Sequence, residues 1–574
     1  MSDPRSSETP DPLPREPETE SEEPRSRRQR LGLALLAGAL VPLSLQPWGL
    51  PWLLPVGFAL LATVIKGASF RQSFLIGGVF GLAINGVGLP WIATAVTRFS
   101  GIFIFDAPDS VAATMTGVGA FFLWWPAASL GWGLWAAMIT ICPTQGVLRA
   151  IWAGLGVMLL ESYWPRIFQW TLGAAYATEN PSMSWWLLQW FGVEELVLLA
   201  VFSGFLAAPC VTDRSRTYRQ LWILVPALLL MVLPAIPLPQ APLHPSVAGS
   251  EAGQAEELVV SIIQPAIPLE MRHGREQSDA QRRKIRSLIE QASVGDPNLV
   301  LLPEAILPQA WKIEWLQQWC QDWLRCPTLI GVTLIEPDGY SNGLALLIPR
   351  SDPDSGQRWV DVQIGRKKRL VPFGEMIPFG ETLSSWGIEL PLTSLVAGSE
   401  AVVFSADSWF PRLGASICYE GILSATAAET GAQGARWHAN LTEDLWYGDW
   451  LEPAQHLQLQ RSRAIESGLV WFRSVNAGIS AAIDPRSGGY RSILASRSRS
   501  DHLPASSWSP WQPTSDSGQV SLPQGDVGIL QIRLTNDFSP QISAPLSLPE
   551  SAPLLWLYVA LALFWWNLKR FQTS

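Results

Sequence analysis

Residues 412–421, RLGASICYEG, carry a run of small and branched side chains that stops at a cysteine. Leu413 to Ile417 predict a short buried strand, and the sharp turn after it presents Cys418 followed by Tyr419 and Glu420. A strand end opening into a helical turn is where α/β folds display reactive side chains. A thiol near helical N–H groups and a cation gains thiolate character and becomes a nucleophile. Free cysteine is also among the most commonly buried inert residues, so this segment alone leaves both readings open.

Two further segments have the same design. Residues 299–308, LVLLPEAILP, read as a buried strand ending at Pro303, which fixes the turn presenting Glu304. A carboxylate at the edge of an apolar core is desolvated and suited to general-base work, although a surface Glu capping the next element fits the same pattern. Residues 365–381, GRKKRLVPFGEMIPFGE, place Arg366, Lys367, Lys368 and Arg369 before an apolar, turn-prone stretch. Such a run is ordinarily a surface patch or a contact for anionic lipid headgroups. One Lys turned inward would instead neutralise a developing oxyanion, with Glu375 as a second carboxylate holding it in place.

Around these segments, strand-like runs at 258–263, 299–302, 328–333, 344–348, 413–417 and 479–483 alternate with helix-like runs at 281–292, 311–324 and 454–467. That alternation predicts an α/β domain on a layered sheet, over residues 257–548. A Pro- and Gly-rich linker, 239–256, precedes it. Upstream the texture changes to apolar stretches at 31–46, 50–65, 73–97, 113–141, 147–162, 194–209 and 220–237, with another at 552–568. Each approaches the ~17 residues that cross a bilayer. The reading is a membrane domain of seven helices over 31–238 and a last span with a short tail over 549–574.

Residues 1–30, rich in Pro, Ser, Glu and Arg, cannot bury enough surface to fold and predict a disordered tail. Loop charge gives the orientation: if Arg27 and Arg28 are cytoplasmic, the basic loops holding Lys66 and Arg71, Arg149, and Arg214, Arg216 and Arg219 fall on the same side. The α/β domain is then extracytoplasmic, and Lys569 and Arg570 return to the cytoplasm. Composition agrees, with 48% hydrophobic and 16% charged residues, and 30 Trp, a residue that favours the membrane interface. A net charge of −9, with no basic run past the tail that looks like a phosphate-tracking surface, excludes nucleic-acid binding. The five cysteines, Cys142, Cys210, Cys320, Cys326 and Cys418, form no C-x-x-C pair and argue against a zinc or iron–sulfur centre, while Cys320 and Cys326 leave open a disulfide or two buried thiols. The absence of paired charges at mid-span counts against a transporter, and Glu161 and Glu194 fall near span ends.

Taken together, the order Glu304, then Lys367 ahead of LVPFGE, then Cys418 in ICYE resembles the carbon–nitrogen hydrolase (nitrilase) superfamily. The LVPFGE-x-x-P and ICYE forms, with seven spans before and one after, resemble its membrane-embedded branch, the apolipoprotein N-acyltransferases. The resemblance implies an αββα sandwich outside the cytoplasm of a bacterial inner membrane, with no cofactor and no metal. It makes Glu304 the general base, Lys367 the oxyanion-stabilising cation and Cys418 the nucleophile, supported by Glu375, Tyr419 and Glu420. It implies a phospholipid acyl donor and a diacylglyceryl apolipoprotein acceptor, served by a monomer among membrane lipids. Asn342, Arg463, Glu466, Arg473, Asn476 and Gly478 look like scaffold elements of the family. Departures bear on the acceptor: Ala266 where Asn is usual, His273 for Trp, Glu443 for Asn, Arg369 for His and Gly365 for Tyr. The alternatives are a membrane-tethered amidase that transfers its acyl group to water, and an inactive transport or structural membrane protein.

Overall fold

In the computed structural model of the chain, residues 26–142, 146–212, 221–237, 257–269, 278–378, 380–387, 394–405, 411–485, 495–497, 509–511, 519–521 and 527–535, with 558 and 561, are described. The apolar runs of the first half form α1 (Arg27–Leu40), α2 (Leu53–Ile65), α3 (Phe70–Gly88), α4 (Trp91–Phe103), α5 (Val111–Ile139), α6 (Val147–Tyr163), α7 (Met183–Phe191), α8 (Val193–Thr212) and α9 (Leu221–Val232). Ser26 with Gln29, and Ser69 with Gln72, build reciprocal capping boxes that start α1 and α3.

Among the described residues α5 alone is long and apolar enough to cross a membrane by itself. Two bent pairs reach that length together: α3 with α4, turned by 58°, and α7 with the α8 residues up to Ala208, turned by 111°. The predicted stretch 73–97 is therefore a broken helix, interrupted at Leu89 and Pro90 because proline removes a backbone donor. Helix α7 has no counterpart in the sequence reading. The stretch 552–568 lies outside the described residues apart from 558 and 561.

The second half comprises β1 (Glu257–Gln264), α10 (Ser278–Ala292), β2 (Leu299–Leu301), β3 (Ala310–Trp311), α11 (Ile313–Cys320), β4 (Thr328–Glu336), β5 (Gly339–Ser351), β6 (Arg358–Arg366) and α12 (Gly380–Ser385). It continues through β7 (Val402–Phe404), β8 (Leu413–Ile417), α13 (Ser424–Ala432), β9 (Trp437–Thr442), α14 (Glu452–Ser467), β10 (Val470–Val475) and β11 (Ala481–Ile483). The last strands are β12 (Ala495–Arg497), β13 (Ser509–Trp511), β14 (Gln519–Ser521) and β15 (Gly528–Thr535). One sheet runs β15-β1-β2-β4-β5-β6 with β3 beside β4, the other β14-β11-β10-β9-β8-β7, and β12 pairs β13.

Period-two alternation explains the layering. Leu258, Val260 and Ile262 of β1 join Val470 and Phe472 of β10 in one core between the sheets. The opposite faces are covered by helices: Ile263, Val300 and Leu302 meet Ile285, Ile289 and Leu316 of α10 and α11, while Trp471 and Ile483 meet Leu457 and Ala464 of α14. The result is a helix–sheet–sheet–helix sandwich. Cys320 and Cys326 are free buried thiols.

Helix α14 is buried on nearly every side despite its polar sequence. One flank lies on the second sheet and the other docks against the helical half. Gln455 donates to the Gly88 carbonyl at 3.0 Å and accepts from Trp91 Nε1 at 3.1 Å, bridging the break between α3 and α4. Arg461 donates to the Ala177 carbonyl, and Arg463 Nη2 reaches Glu194 at 3.4 Å. Glu194 is thus a docking contact at the N-terminus of α8.

Candidate active site

Strands β2, β6 and β8 deliver three side chains to one edge of the sandwich. Past β2, the Leu302 amide donates to Leu329 O and the Gly331 amide to Pro303 O, which fixes the backbone of Glu304 against β4. Gly331 is required there, since a Cβ would lie 2.5 Å from Glu304 Cα. Past β6, the Lys367 amide donates to Asn342 O at 2.9 Å. Past β8, Cys418 opens a short 3-10 turn, Cys418–Ile422, with φ of +49°.

Glu304, Lys367 and Cys418 are buried, Lys367 being only 1% exposed. Lys367 Nζ lies 2.8 Å from Glu375 Oε1 and 3.6 Å from Glu304 Oε1. Asn342 Nδ2 donates to both carboxylates, at 2.6 Å to Glu304 and 2.8 Å to Glu375. Glu375 Oε2 also accepts from the Val371 amide. Of the four consecutive basic residues only Lys367 turns inward: Arg366 pairs with Glu336, and Lys368 and Arg369 pair with Glu429.

The electrostatics assign the protons. Burial pushes Lys367 down, but the charges of Glu375, Glu304 and Cys418 outweigh it and hold the ammonium well above its ordinary value. Burial and then the charge of Glu304 push the Cys418 thiol up, opposed by Lys367 and a hydrogen bond with Thr442. The resting site therefore holds a cationic Lys and a protonated thiol, and a base must take that proton before the sulfur can act as a nucleophile.

Glu420 ties the site together rather than lining it. Its Oε1 accepts from the Lys368 and Arg369 amides at 2.9 and 3.0 Å, and its Oε2 from Ile417 at 3.0 Å, so one carboxylate clamps the Lys segment to the Cys turn. Burial pushes it up, while the Ile417 amide, the Lys367 charge and the other two amides pull it back. The Tyr419 ring lies 6.0 Å from Phe168 of the helical half, and burial pushes its hydroxyl up to about 12.

Sequence reasoning placed Asn342 in the scaffold; it touches both carboxylates. It missed Thr442, Asn440 and the buried Asp444, Glu452 and His456, which gather around Arg473, a residue it had placed in the scaffold. Asn440 Nδ2 donates to Cys418 O at 3.1 Å, a contact set by the register of β8 and β9, where Ser416 faces Asn440. The parallel pairing of two strands far apart in sequence carries no local signal. Asp444, Glu452 and His456 bring ligand-type atoms within 4.8 Å of one another. Arg473 Nη2, 2.6 Å from Asp444, already supplies a positive charge, so the group is an ion-pair network.

The departures settle into backbone roles. Ala266 has φ of +47°, a region Asn enters more readily than Ala. Glu443 accepts from the Leu445 amide and from Asn476 Nδ2. The Gly365 position abuts Val402, where a Cβ would meet Cγ1 at 2.4 Å. His273 lies outside the described residues.

Comparison with known proteins follows the two halves of the chain. Residues 260–496 match the carbon–nitrogen hydrolase family, the class to which this sandwich corresponds. Residues 37–206 match the apolipoprotein N-acyltransferase N-terminal domain. An apolipoprotein N-acyltransferase of Methylococcus capsulatus is 27% identical over 522 residues, covering 87% of this chain and 95% of that protein. One of Rhodopseudomonas palustris is 28% identical, covering 80% of this chain and 86% of its own length. Among solved structures, Saccharomyces cerevisiae Nit3, a member of branch 10 of the nitrilase superfamily, aligns with 52% of this chain at 16% identity and a TM-score of 0.33. The chain belongs to the apolipoprotein N-acyltransferase family, carrying both its N-terminal domain and its carbon–nitrogen hydrolase domain.

Proposed function

We propose that this protein transfers an acyl chain from a phospholipid, through a thioester on Cys418, to the α-amine of the lipidated N-terminal cysteine of an apolipoprotein. The observation that carries the reading is the buried contact of Lys367 with Glu304 and Glu375, electrostatically coupled to Cys418, in a chain whose relatives bear that name.

In the first step Glu304 takes the thiol proton as sulfur attacks the ester carbonyl. Lys367 and backbone N–H groups stabilise the oxyanion. The C–O bond breaks, Glu304 returns the proton to the departing oxygen, and a lysophospholipid leaves. In the second step the neutral amine attacks the thioester, Glu304 takes its proton, and collapse breaks the C–S bond as Glu304 returns that proton to the departing sulfur, giving an amide and the free thiol. Burial of the site serves this chemistry, because water reaching the thioester would hydrolyse it.

The helical half serves as the membrane domain, with seven spans before the catalytic domain and one after it. The catalytic domain faces the periplasm, both termini are cytoplasmic, and the protein acts as a monomer. Donor and acceptor then share the leaflet beside the site.

The test offers labelled phospholipid and a synthetic diacylglyceryl-cysteinyl peptide to the purified protein. Mass spectrometry should find triacylated peptide and lysophospholipid in equal amounts; free fatty acid with unmodified peptide would assign a hydrolase instead.

A further inference from the structure

The left-handed conformation of Cys418 is one a non-glycine residue keeps only where its surroundings hold it. The Cys418 carbonyl accepts from Asn440 Nδ2 at 3.1 Å, and Asn440 Oδ1 accepts from Gln460 Nε2 at 2.7 Å. Gln460 Nε2 also stands 3.1 Å from His456 Nε2. On its other side, His456 Nδ1 lies 3.1 Å from Asp444 Oδ1 and 3.2 Å from Glu452 Oε1. Asn440, His456 and Gln460 are fully buried. Gly421, in the nucleophile's own turn, sits directly on the two amides: a Cβ there would lie 2.6 Å from Asn440 Nδ2 and 2.8 Å from Gln460 Nε2.

The polarity of this chain is fixed from one end. A backbone carbonyl only accepts, so Asn440 must turn its NH2 to Cys418 and its oxygen to Gln460. Gln460 must then offer its own NH2, whose second hydrogen meets His456 Nε2. That nitrogen is left as the acceptor, so His456 is neutral, with its Nδ1–H aimed at Asp444 and Glu452. An imidazolium would set N–H against N–H. To relieve that, Gln460 would have to turn over and point its oxygen at the Asn440 oxygen.

We propose that Gln460, oriented by neutral His456, is a positioning residue for Cys418: the chain from His456 through Gln460 and Asn440 holds the nucleophile in its attacking conformation, and protonation of His456 releases it. This rests on the reading of Cys418 as the acyl-carrying nucleophile.

The groups around His456 fit that assignment. Asp444 is compensated by Arg473 at 2.6 Å. Glu452, whose Oε1 lies 3.2 Å from His456 Nδ1, is pushed up to about 7 by burial and then by the charge of Asp444, against the pull of His456 and Arg473. From the helical half the neighbour is uncharged, the Phe168 ring 6.4 Å from the imidazole. Burial, then the charges of Cys418, Glu452, Glu304 and Asp444, push Tyr447 well above its ordinary range, so it stays a neutral phenol. Burial and the Arg473 charge push His456 down, but the Glu452 charge and the hydrogen bonds with Asp444 and Glu452 outweigh them and raise it, so His456 is the group that takes up a proton as pH falls. The other end of the turn is held from the same helix, since Arg463 Nε donates to Ile422 O at 2.8 Å.

The test is single-turnover acylation of Cys418 by a fluorescent phospholipid, using the full-length protein in lipid nanodiscs across a pH series. Gln460→Glu keeps the size of the side chain and removes the donor. The expected result is an acylation rate about 10- to 100-fold lower with unchanged donor KM, recovering partly at low pH where the new carboxyl is protonated and donates again. His456→Ala should lose rate similarly, and His456→Gln, which puts an uncharged acceptor near the Nε2 position, should restore most of it while abolishing the acidic fall assigned to His456. Gln460→Glu acylating at the wild-type rate, or slowed through KM alone, overturns the proposal. So does an acidic profile identical in wild type and His456→Gln, a comparison that decides the matter even if Gln460→Glu does not fold. Wild type that takes no acyl group from any phospholipid would instead bring down the acyl-transfer reading itself.

Discussion

Replacing Glu420 tests how the site is assembled, because this carboxylate joins two segments some fifty residues apart while touching no reacting atom. It accepts from the amides of Ile417, Lys368 and Arg369 at 2.9 to 3.0 Å. In Glu420→Gln one oxygen remains for Lys368 and Arg369, but the other becomes an NH2 facing the Ile417 amide. A buried donor left without an acceptor costs about 1–3 kcal/mol, and weakening two charge-assisted bonds adds to this, while relief of the carboxylate's desolvation offsets part of it. The net expectation is about 2 kcal/mol of stability lost in Glu420→Gln. Glu420→Ala, which loses all three acceptors, should lose more. Activity should fall further than stability, because Lys367 and Cys418 are no longer held in register and a displacement of ~1 Å costs about 100-fold in rate. Thermal unfolding followed by circular dichroism, with single-turnover acylation measured well below the melting point, separates the two effects. Both variants acylating within about twofold of wild type would refute the clamp, since the geometry makes a rate loss of that order unavoidable.

Other expectations follow from the same geometry. Asn342→Leu preserves volume but removes the donor shared by Glu304 and Glu375, so acylation should slow by about 100-fold with little change in donor KM, as steady-state kinetics would report. Gly331→Ala drives a methyl to 2.5 Å from Glu304 Cα; overpacking of this kind costs about 1–3 kcal/mol, and the melting temperature and the acylation rate should fall together. The Cys418 thiol, raised by burial and by Glu304, stays protonated below its folded-state pKa and ionises only as pH rises through it. Alkylation by iodoacetamide without substrate should therefore stay slow from about pH 6 to 8 and climb only above the ordinary thiol range of about 8.5. A plateau already reached at pH 7 would show a resting thiolate.

The sheet strands were the most legible part of the chain, because a strand buried on one or both faces writes its burial into side-chain type. Residues 413–417 were bounded correctly, and 258–263 and 299–302 to within a residue or two. Strand β9, WHANLT, was missed because its His, Asn and Thr look exposed, yet all three are buried, His438 against Ser416 and Thr430 and Asn440 against Ser416, Cys418 and Gln460. Helix α14 was found, but nothing in its polar sequence records its depth: its glutamines and arginines are paired across to Gly88, Trp91, Ala177 and Glu194. The bend between α3 and α4 was signalled by Pro90, whereas the length of the surrounding apolar run favoured one straight span. In the candidate site, Glu304 and Cys418 were legible at the ends of strand-like runs, whereas Lys367 was singled out from its three basic neighbours by the family resemblance alone. Asn342 and Asn440 act through partners reached only by strand pairing, which no local pattern records.

The most direct measurement is to incubate the protein with phospholipid bearing an isotopically labelled acyl chain, without acceptor, and to map the adduct by peptide mass spectrometry. A single hydroxylamine-labile acyl group on the peptide containing Cys418, absent in Cys418→Ala and chased onto added lipopeptide amine, is the expected outcome. Label carried by another residue, or persisting undiminished in Cys418→Ala, would contradict the account.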